Sequence, residues 1–135
     1  MVKLIIQIEA SSDYFDGFAM NVDGVSGAGN TIEECKVNIL EGLRLMIKHS
    51  TESYCQAPKW LVDGDYEIEY QYDTQSILSH YADVFSKPAL EKLTGINQKQ
   101  LHHYATGLKK PREAQRKKIE TALHALGKEL LTVKL

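Results

Sequence analysis

Cysteine is scarce in this chain, which argues against the metal-binding and redox functions that depend on it. The only two cysteines in the 135 residues, Cys35 and Cys55, have neither metal-ligand nor redox spacing. Cys35 falls on the apolar side of a predicted helix and is expected to be a small core residue, whereas Cys55 falls in a predicted loop. The sequence therefore predicts neither a metal site nor a cofactor.

Long apolar runs are also lacking. No segment approaches the roughly 20 apolar residues that a membrane-spanning helix needs. The apolar start of the chain is too short, and too soon interrupted by polar residues, for a signal peptide. The length allows one ordinary domain or two very small ones. These observations predict a cytoplasmic protein.

Charge of one sign is not in large excess overall, but it is unevenly distributed. The net charge of −2 gives no indication of a nucleic-acid partner. Residues 1–73 nevertheless carry five Lys or Arg and thirteen Asp or Glu, whereas residues 74–135 carry eleven and five. A half with a net charge of −8 joined to a half of +6 is typical of two modules with different partners. We therefore expect one domain over residues 1–73 and another over residues 74–135.

The acidic half is predicted to be a small α+β domain. Apolar and alternating patterns predict strands over residues 2–9, 14–22, 25–28 and 65–72. Thr31 and Glu34 match a capping box, from which an amphipathic helix extends to about residue 49. A loop follows, in which Trp60 is expected to anchor on the sheet. The order strand–strand–strand–helix–strand predicts a small antiparallel sheet with one helix covering one face.

Three carboxylates near the first predicted hairpin raise the question of catalysis. Glu9, Asp13 and Asp16 cluster there, and paired carboxylates can hold a catalytic metal. Turn positions are often occupied by Asp, however, and His49 lies at a distant helix end. We therefore expect that the protein is not an enzyme. The alternative use of this acidic surface is to bind a basic partner.

Residues 90–107 carry the pattern of a helix-turn-helix. Gly95 falls where a helix end favours a left-handed residue, and Asn97 is suited to cap the next helix. The buried stripe of that second helix is expected to consist of Leu101, Tyr104 and Ala105. Two helices joined by a three- to four-residue turn can present the second helix to the major groove of DNA.

The outward face of the second helix is polar, rich in hydrogen-bond donors and free of acids, and a basic segment follows it. Gln pairs with adenine edges and Lys with guanine, while the following cations suit phosphate oxygens. The alternative is a solvated helix face beside a basic loop, but adjoining donors and cations favour DNA binding. The candidate DNA-binding residues are Asn97, Gln98, Lys99, His102, His103, Thr106, Lys109, Lys110 and Arg112.

The rest of the basic half is predicted to be helical except for its tail. Helices are expected over residues 74–84, from Ser86 and Pro88 onward, and from Pro111 to Gly127. Residues 129–135 alternate like a short strand, which would pair with a second copy or with the N-terminal sheet. Because helix-turn-helix proteins commonly read two half-sites as two-fold dimers, we expect at least a homodimer.

The whole chain resembles a HicB-family antitoxin of a type II toxin–antitoxin pair, in the subset with a lambda-repressor-like (XRE/Cro-type) C-terminal domain. In the first half, the likeness rests on the element order around residues 24–34 and on the segment 58–61. In the second half, it rests on residues 90–101, 103–105 and 110–112. One position departs from the general helix-turn-helix pattern, which prefers Ala four residues before the turn glycine. This chain has Glu91 there.

The resemblance implies a degenerate RNase H-like domain that binds and neutralises a HicA-like toxin, a small basic mRNA interferase. The C-terminal domain would bind operator DNA and repress transcription of the shared operon. Two competing hypotheses come from other classes. One is an orphan DNA-binding transcriptional regulator without a cognate toxin, and the other is a nuclease that uses the hairpin carboxylates.

Overall fold

The chain folds as two compact units, residues 1–76 and residues 77–135, which divide close to the boundary expected after residue 73. A computed structural model describes residues 1–52 and 57–135, so the expectation for Cys55 lies outside the described residues. The described part is α+β, with one four-stranded sheet and six helices. None of these helices is both long and apolar enough to cross a membrane.

The first unit holds all four described strands, and its sheet is mixed. Its elements are β1 (Val2–Ala10), β2 (Phe15–Ala19), β3 (Ser26–Gly29), α1 (Ile32–Glu52), α2 (Lys59–Val62) and β4 (Tyr66–Tyr72). The strand order is β3-β2-β1-β4, so β1 is central. β1 pairs with β2 antiparallel but with β4 parallel. The expected all-antiparallel sheet is therefore wrong, because the helical crossover through α1 returns the chain in the direction of β1.

α1 covers one face of this sheet and forms the larger core with it. Thr31 caps the helix as expected, since the Glu34 amide donates to Thr31 Oγ1 at 3.0 Å. Cys35 is fully buried, and burial, followed by the Asp16 carboxylate, raises the pKa of its thiol. Trp60 packs edge-on against Tyr66, in agreement with the predicted anchor. The core residues are Leu4, Ile6, Ile8, Ala19, Val22, Val25, Ile32, Cys35, Ile39, Leu43 and Leu61.

Two glycines let α1 approach β3 more closely than any side chain would allow. A Cβ added at Gly27 would lie 2.7 Å from the Ile39 backbone nitrogen, and one at Gly29 would lie 2.5 Å from the Cys35 nitrogen. These contacts are with helix backbone, which cannot move aside as the end of a flexible side chain can. β3 therefore packs directly against the main chain of α1.

The second strand is shorter than predicted, and beyond its end a side chain takes part in the pairing with β1. Asn21 lies just beyond β2, where its Oδ1 accepts from the Ile5 amide at 3.0 Å and its Nδ2 donates to the Lys3 carbonyl at 2.8 Å. These two bonds satisfy the Ile5 amide and the Lys3 carbonyl, and the Met20 amide donates to the Ile5 carbonyl at 2.8 Å, so residues 20–22 support β1 without strand geometry.

The second unit is a small helical bundle. Its elements are α4 (Lys87–Thr94), α5 (Gln98–Thr106) and α6 (Glu113–Leu131), preceded by α3 (Thr74–His80), whose first turn belongs to the first unit. Asp73 caps α3, since its Oδ1 accepts from the Ser76 amide at 2.8 Å. The core of the bundle consists of Leu78, Leu90, Ile96, Leu101, Tyr104 and Ile119.

The last helix and the tail differ from the prediction. α6 begins after Arg112, two residues beyond Pro111, and continues through Gly127 to Leu131. A helical glycine costs only about 1 kcal/mol relative to alanine, and the good helix formers around it outweigh that cost. The predicted strand over residues 129–135 is therefore wrong. The helical spacing of apolar residues predicts that four further side chains face a core, but all four are substantially exposed: Leu40, Tyr81, Val84 and Leu93.

Candidate nucleic-acid interface

The turn between α4 and α5 has the geometry that the sequence predicts. Gly95 ends α4 in the left-handed region at φ 75°, and Ile96 is buried beneath the turn. Asn97 caps α5 by accepting from the Lys99 amide at 2.8 Å. The Thr94 hydroxyl joins the two sides, since it donates to the Leu90 carbonyl and accepts from the Ile96 amide. These bonds fix the angle at which α5 leaves the turn.

The buried stripe of α5 orients its polar face outward. Leu101 and Tyr104 are buried and Ala105 is half-buried, as predicted. Gly107 ends the helix in the left-handed region at φ 79°. On the other side, Asn97, Gln98, Lys99, His102 and Thr106 are exposed and His103 is half-buried. The structure therefore brings six of the nine predicted residues onto one helix and its cap.

Two residues of that face are already engaged with backbone. The Asn97 side chain is used in capping, and the Thr106 hydroxyl donates to the His102 carbonyl at 3.0 Å. Thr106 thereby stabilises the last turn of α5, and its oxygen remains an acceptor. The side chains best placed to offer hydrogen bonds outward are those of Gln98, Lys99 and His102.

Gln98 has a partner that the sequence did not reveal. Its Nε2 donates to Glu91 Oε2 on α4 at 3.1 Å, across the helix-turn-helix. Glu91 is the residue that departs from the general pattern, and it is half-buried. The departure therefore places a carboxylate beside the first exposed side chain of α5.

The three remaining predicted residues border a separate concavity. Lys109, Lys110 and Arg112 are exposed and line a groove of about 550 Å³ at the start of α6. Three further residues complete its lining, namely Gln100, Tyr104 and Gln115, and none of the six is acidic. A groove lined by three cations and three neutral polar side chains suits phosphate oxygens.

Gln100 and Tyr104 were not predicted to contribute to this surface. Gln100 Nε2 donates to Tyr104 Oη at 2.8 Å, which leaves the tyrosine hydroxyl proton for another acceptor. Their spacing of four residues on one helix could have indicated such a pair. Tyr104 was instead assigned to the core alone, because its ring is buried.

The surroundings of His103 disfavour its protonated form. Its Nδ1 is buried without a hydrogen-bond partner in the part of the chain that the structure describes. Burial lowers the pKa of its imidazole, and the charges of Lys109, Lys99 and His102 lower it further. His103 is therefore expected to shape the helix surface as a neutral ring rather than to bind phosphate as a cation.

We expect acid to destabilise the fold through His103. The unfolded chain takes up a proton at this histidine near its ordinary pKa of 6.5, whereas the folded chain does so only at lower pH. The contribution of His103 to the free energy of unfolding is thus complete above pH 6.5 and is lost as the pH falls toward the lowered pKa. The melting temperature of His103→Gln should fall less than that of the wild type between about pH 7.5 and about pH 5. His102→Gln, an exposed neighbour, should keep the wild-type dependence, and equal dependence in all three proteins would contradict this role.

The three carboxylates of the first hairpin do not form a group of three that could hold a metal ion. Glu9 and Asp16 are register partners across β1 and β2. Asp13 lies in the turn beyond them, where it accepts from the Ser12 hydroxyl at 3.3 Å. Within residues 1–52 and 57–135, no group of three or more His, Cys, Asp or Glu side chains could hold a metal ion.

The sheet face opposite α1 is a second surface of distinctive chemistry, termed here the open sheet face. It consists of Lys3, Ile5, Gln7, Glu9, Asp16, Phe18, Glu67, Glu69 and Gln71, whose positions alternate with the core-facing ones along β1, β2 and β4. Phe18 on this face is 40% exposed, and the face carries four acids against one lysine, Lys3, which pairs with Glu69 at 2.9 Å.

Comparison with protein-family profiles, curated protein sequences and solved structures finds no match to this chain.

Proposed function

We propose that this protein is a cytoplasmic antitoxin of the HicB type with two partners. The second unit binds operator DNA through α5 and represses transcription, and the first unit binds and neutralises a HicA-like mRNA interferase. The observation that carries the proposal is the capped helix-turn-helix with a polar outward α5, followed at once by the groove of Lys109, Lys110 and Arg112. Side chains that can donate hydrogen bonds to bases thus lie next to cations that can bind phosphates.

The toxin-binding half of the proposal is supported by charge and by the open sheet face. Residues 1–73 carry a net charge of −8, which complements a small basic protein. The open sheet face adds the exposed aromatic ring of Phe18 to its acids, and aromatic side chains are enriched in protein–protein interfaces. A basic partner with an apolar contact patch is the occupant that this chemistry favours.

Self-association is supported at the other end of the chain. The last turn of α6 and the residues after it expose four apolar side chains, Leu130, Leu131, Val133 and Leu135. Covering them in a homodimer would also supply two copies of α5 for the half-sites of an operator.

The proposal is tested by titrating the purified full-length protein with its own upstream DNA over a range of salt concentrations. The expected result is tight binding that weakens steeply with salt. A small basic protein encoded by a neighbouring gene should modulate this binding when it is co-expressed. Binding without any such neighbour would favour the orphan regulator. If the protein does not bind this DNA even at low salt, the DNA-binding assignment is wrong.

Base reading by α5 gives a separate expectation. Gln98→Ala and Lys99→Ala should each reduce discrimination between the preferred base and its alternatives by ~1–3 kcal/mol. Affinity for non-specific duplex should change little for Gln98→Ala, because that substitution removes no charge. Competition binding with single-base variants of the selected duplex measures both effects. A uniform loss of affinity across all variants would instead assign Gln98 to positioning on the backbone.

A further inference from the structure

The Glu91–Gln98 hydrogen bond constrains which edge of a base Gln98 can read. The bond joins the side chain at the start of α5 to a carboxylate on α4, at 3.1 Å. An ionised carboxylate only accepts hydrogen bonds, so the amide must turn its NH2 group, not its oxygen, toward Glu91. This orientation follows from chemistry and does not depend on which amide atom is assigned as nitrogen.

The constrained amide keeps one N–H and its Oε1 for a partner outside the protein. Adenine offers the matching pair in the major groove, an N7 acceptor beside an N6 amino donor. Guanine offers two acceptors there, N7 and O6, and so requires two donors. A freely rotating glutamine could turn both of its N–H groups toward guanine, but one bonded to Glu91 cannot without giving up that bond.

We propose that Glu91 is a positioning residue that orients the Gln98 amide so that it bonds to adenine in preference to guanine. The proposal rests on the proposed DNA binding and adds the origin of base preference at one operator position. Glu91 acts through Gln98 rather than on the base. It also brings a negative charge close to the phosphates. Glu91 should therefore lower the affinity for all duplexes while it raises the selectivity for one base.

The test selects duplexes from a pool with a randomised central segment, using the full-length wild type and four variants. Wild-type protein is expected to enrich adenine over guanine at one position by about 5- to 150-fold, the range of a good bidentate contact. Gln98→Ala should lose preference at that position. Glu91→Ala should relax the same position toward a mixture of adenine and guanine, while the other positions keep their preferences.

Glu91→Gln separates positioning from charge. The glutamine carbonyl can still accept from the Gln98 amide, so the adenine preference should persist at a level closer to wild type than in Glu91→Ala. Affinity for all duplexes should rise in both Glu91 variants, because each loses a negative charge near the backbone. Glu120→Ala, which removes an exposed acid on α6, is the matched control and should leave the preference unchanged.

The outcomes distinguish this inference from the proposed function. If the wild type enriches no sequence and shows no salt-sensitive binding, the DNA-binding assignment fails. If Gln98→Ala relaxes a position that Glu91→Ala leaves intact, only the positioning role fails. A change in Glu91→Ala at a different position, with loss of a cytosine preference, would mean that Glu91 itself accepts from a base. Thermal unfolding of each variant confirms that the compared proteins are folded.

Discussion

Replacing Lys109, Lys110 and Arg112 together with alanine should lower the affinity for every duplex by about two orders of magnitude at ~0.15 M salt. Each phosphate contact contributes about 0.9 to the slope of log K against log salt, so loss of three should flatten the slope by roughly 2.7. Base preference should be retained, because these side chains line the groove at the start of α6 rather than the outward face of α5. Salt titrations with two unrelated duplexes measure both quantities.

The matched control for this triple variant uses cations at the other end of the second unit. Lys128 lies in the last turn of α6, and Lys134 lies in the exposed tail. Replacing both with alanine removes charge from the same unit without touching the groove. If this control loses as much affinity for each charge removed as the triple variant does, binding depends on overall charge and not on the groove.

Gly29→Ala and Gly27→Ala should each destabilise the first unit by about 1–3 kcal/mol or more, because the new methyl group meets helix backbone. The added Cβ would lie 2.5 Å from the Cys35 nitrogen in one case and 2.7 Å from the Ile39 nitrogen in the other. Both nitrogens belong to α1, so relief requires β3 and the helix to separate. Urea unfolding followed by fluorescence of Trp60, the only tryptophan, reports on this unit.

The same chemical change at Gly127 should have the opposite sign. Gly127 lies in the interior of α6, and a Cβ there would meet nothing within 4 Å. Gly127→Ala should therefore stabilise the second unit by about 1 kcal/mol through helix propensity alone. Far-UV circular dichroism measures it, since this unit contains no tryptophan. Equal effects at Gly29 and Gly127 would contradict the close approach of β3 and α1.

The features that the sequence predicted well are local. Ser86, Asn97 and Gly95 act as the predicted helix caps, because each needs only its own side chain and the next few backbone groups. The buried stripe of α5 was likewise predicted from spacing on one helix. The exposure of its polar face followed directly from that stripe.

The features that the sequence did not predict depend on separate elements meeting. The parallel pairing of β4 requires knowing which edge of β1 remains available, and periodicity carries no such information. The Glu91–Gln98 bond and the basic groove each join two helices whose relative placement no local pattern specifies. Leu93 matched an apolar stripe but is 37% exposed, because a short helix buries only part of such a stripe.

The parallel pairing of β1 with β4 also sets an order of events during folding. Register partners in these strands are 64 residues apart in the chain, whereas β2, β3 and α1 follow β1 closely. Closing so long a loop is slow, so β4 should be the last strand to join the sheet. Substitutions such as Ile68→Val should then act mainly on the unfolding rate. Until β4 has been synthesised, β1 remains an edge strand with unpaired backbone groups, and the nascent chain is most prone to aggregate in that interval.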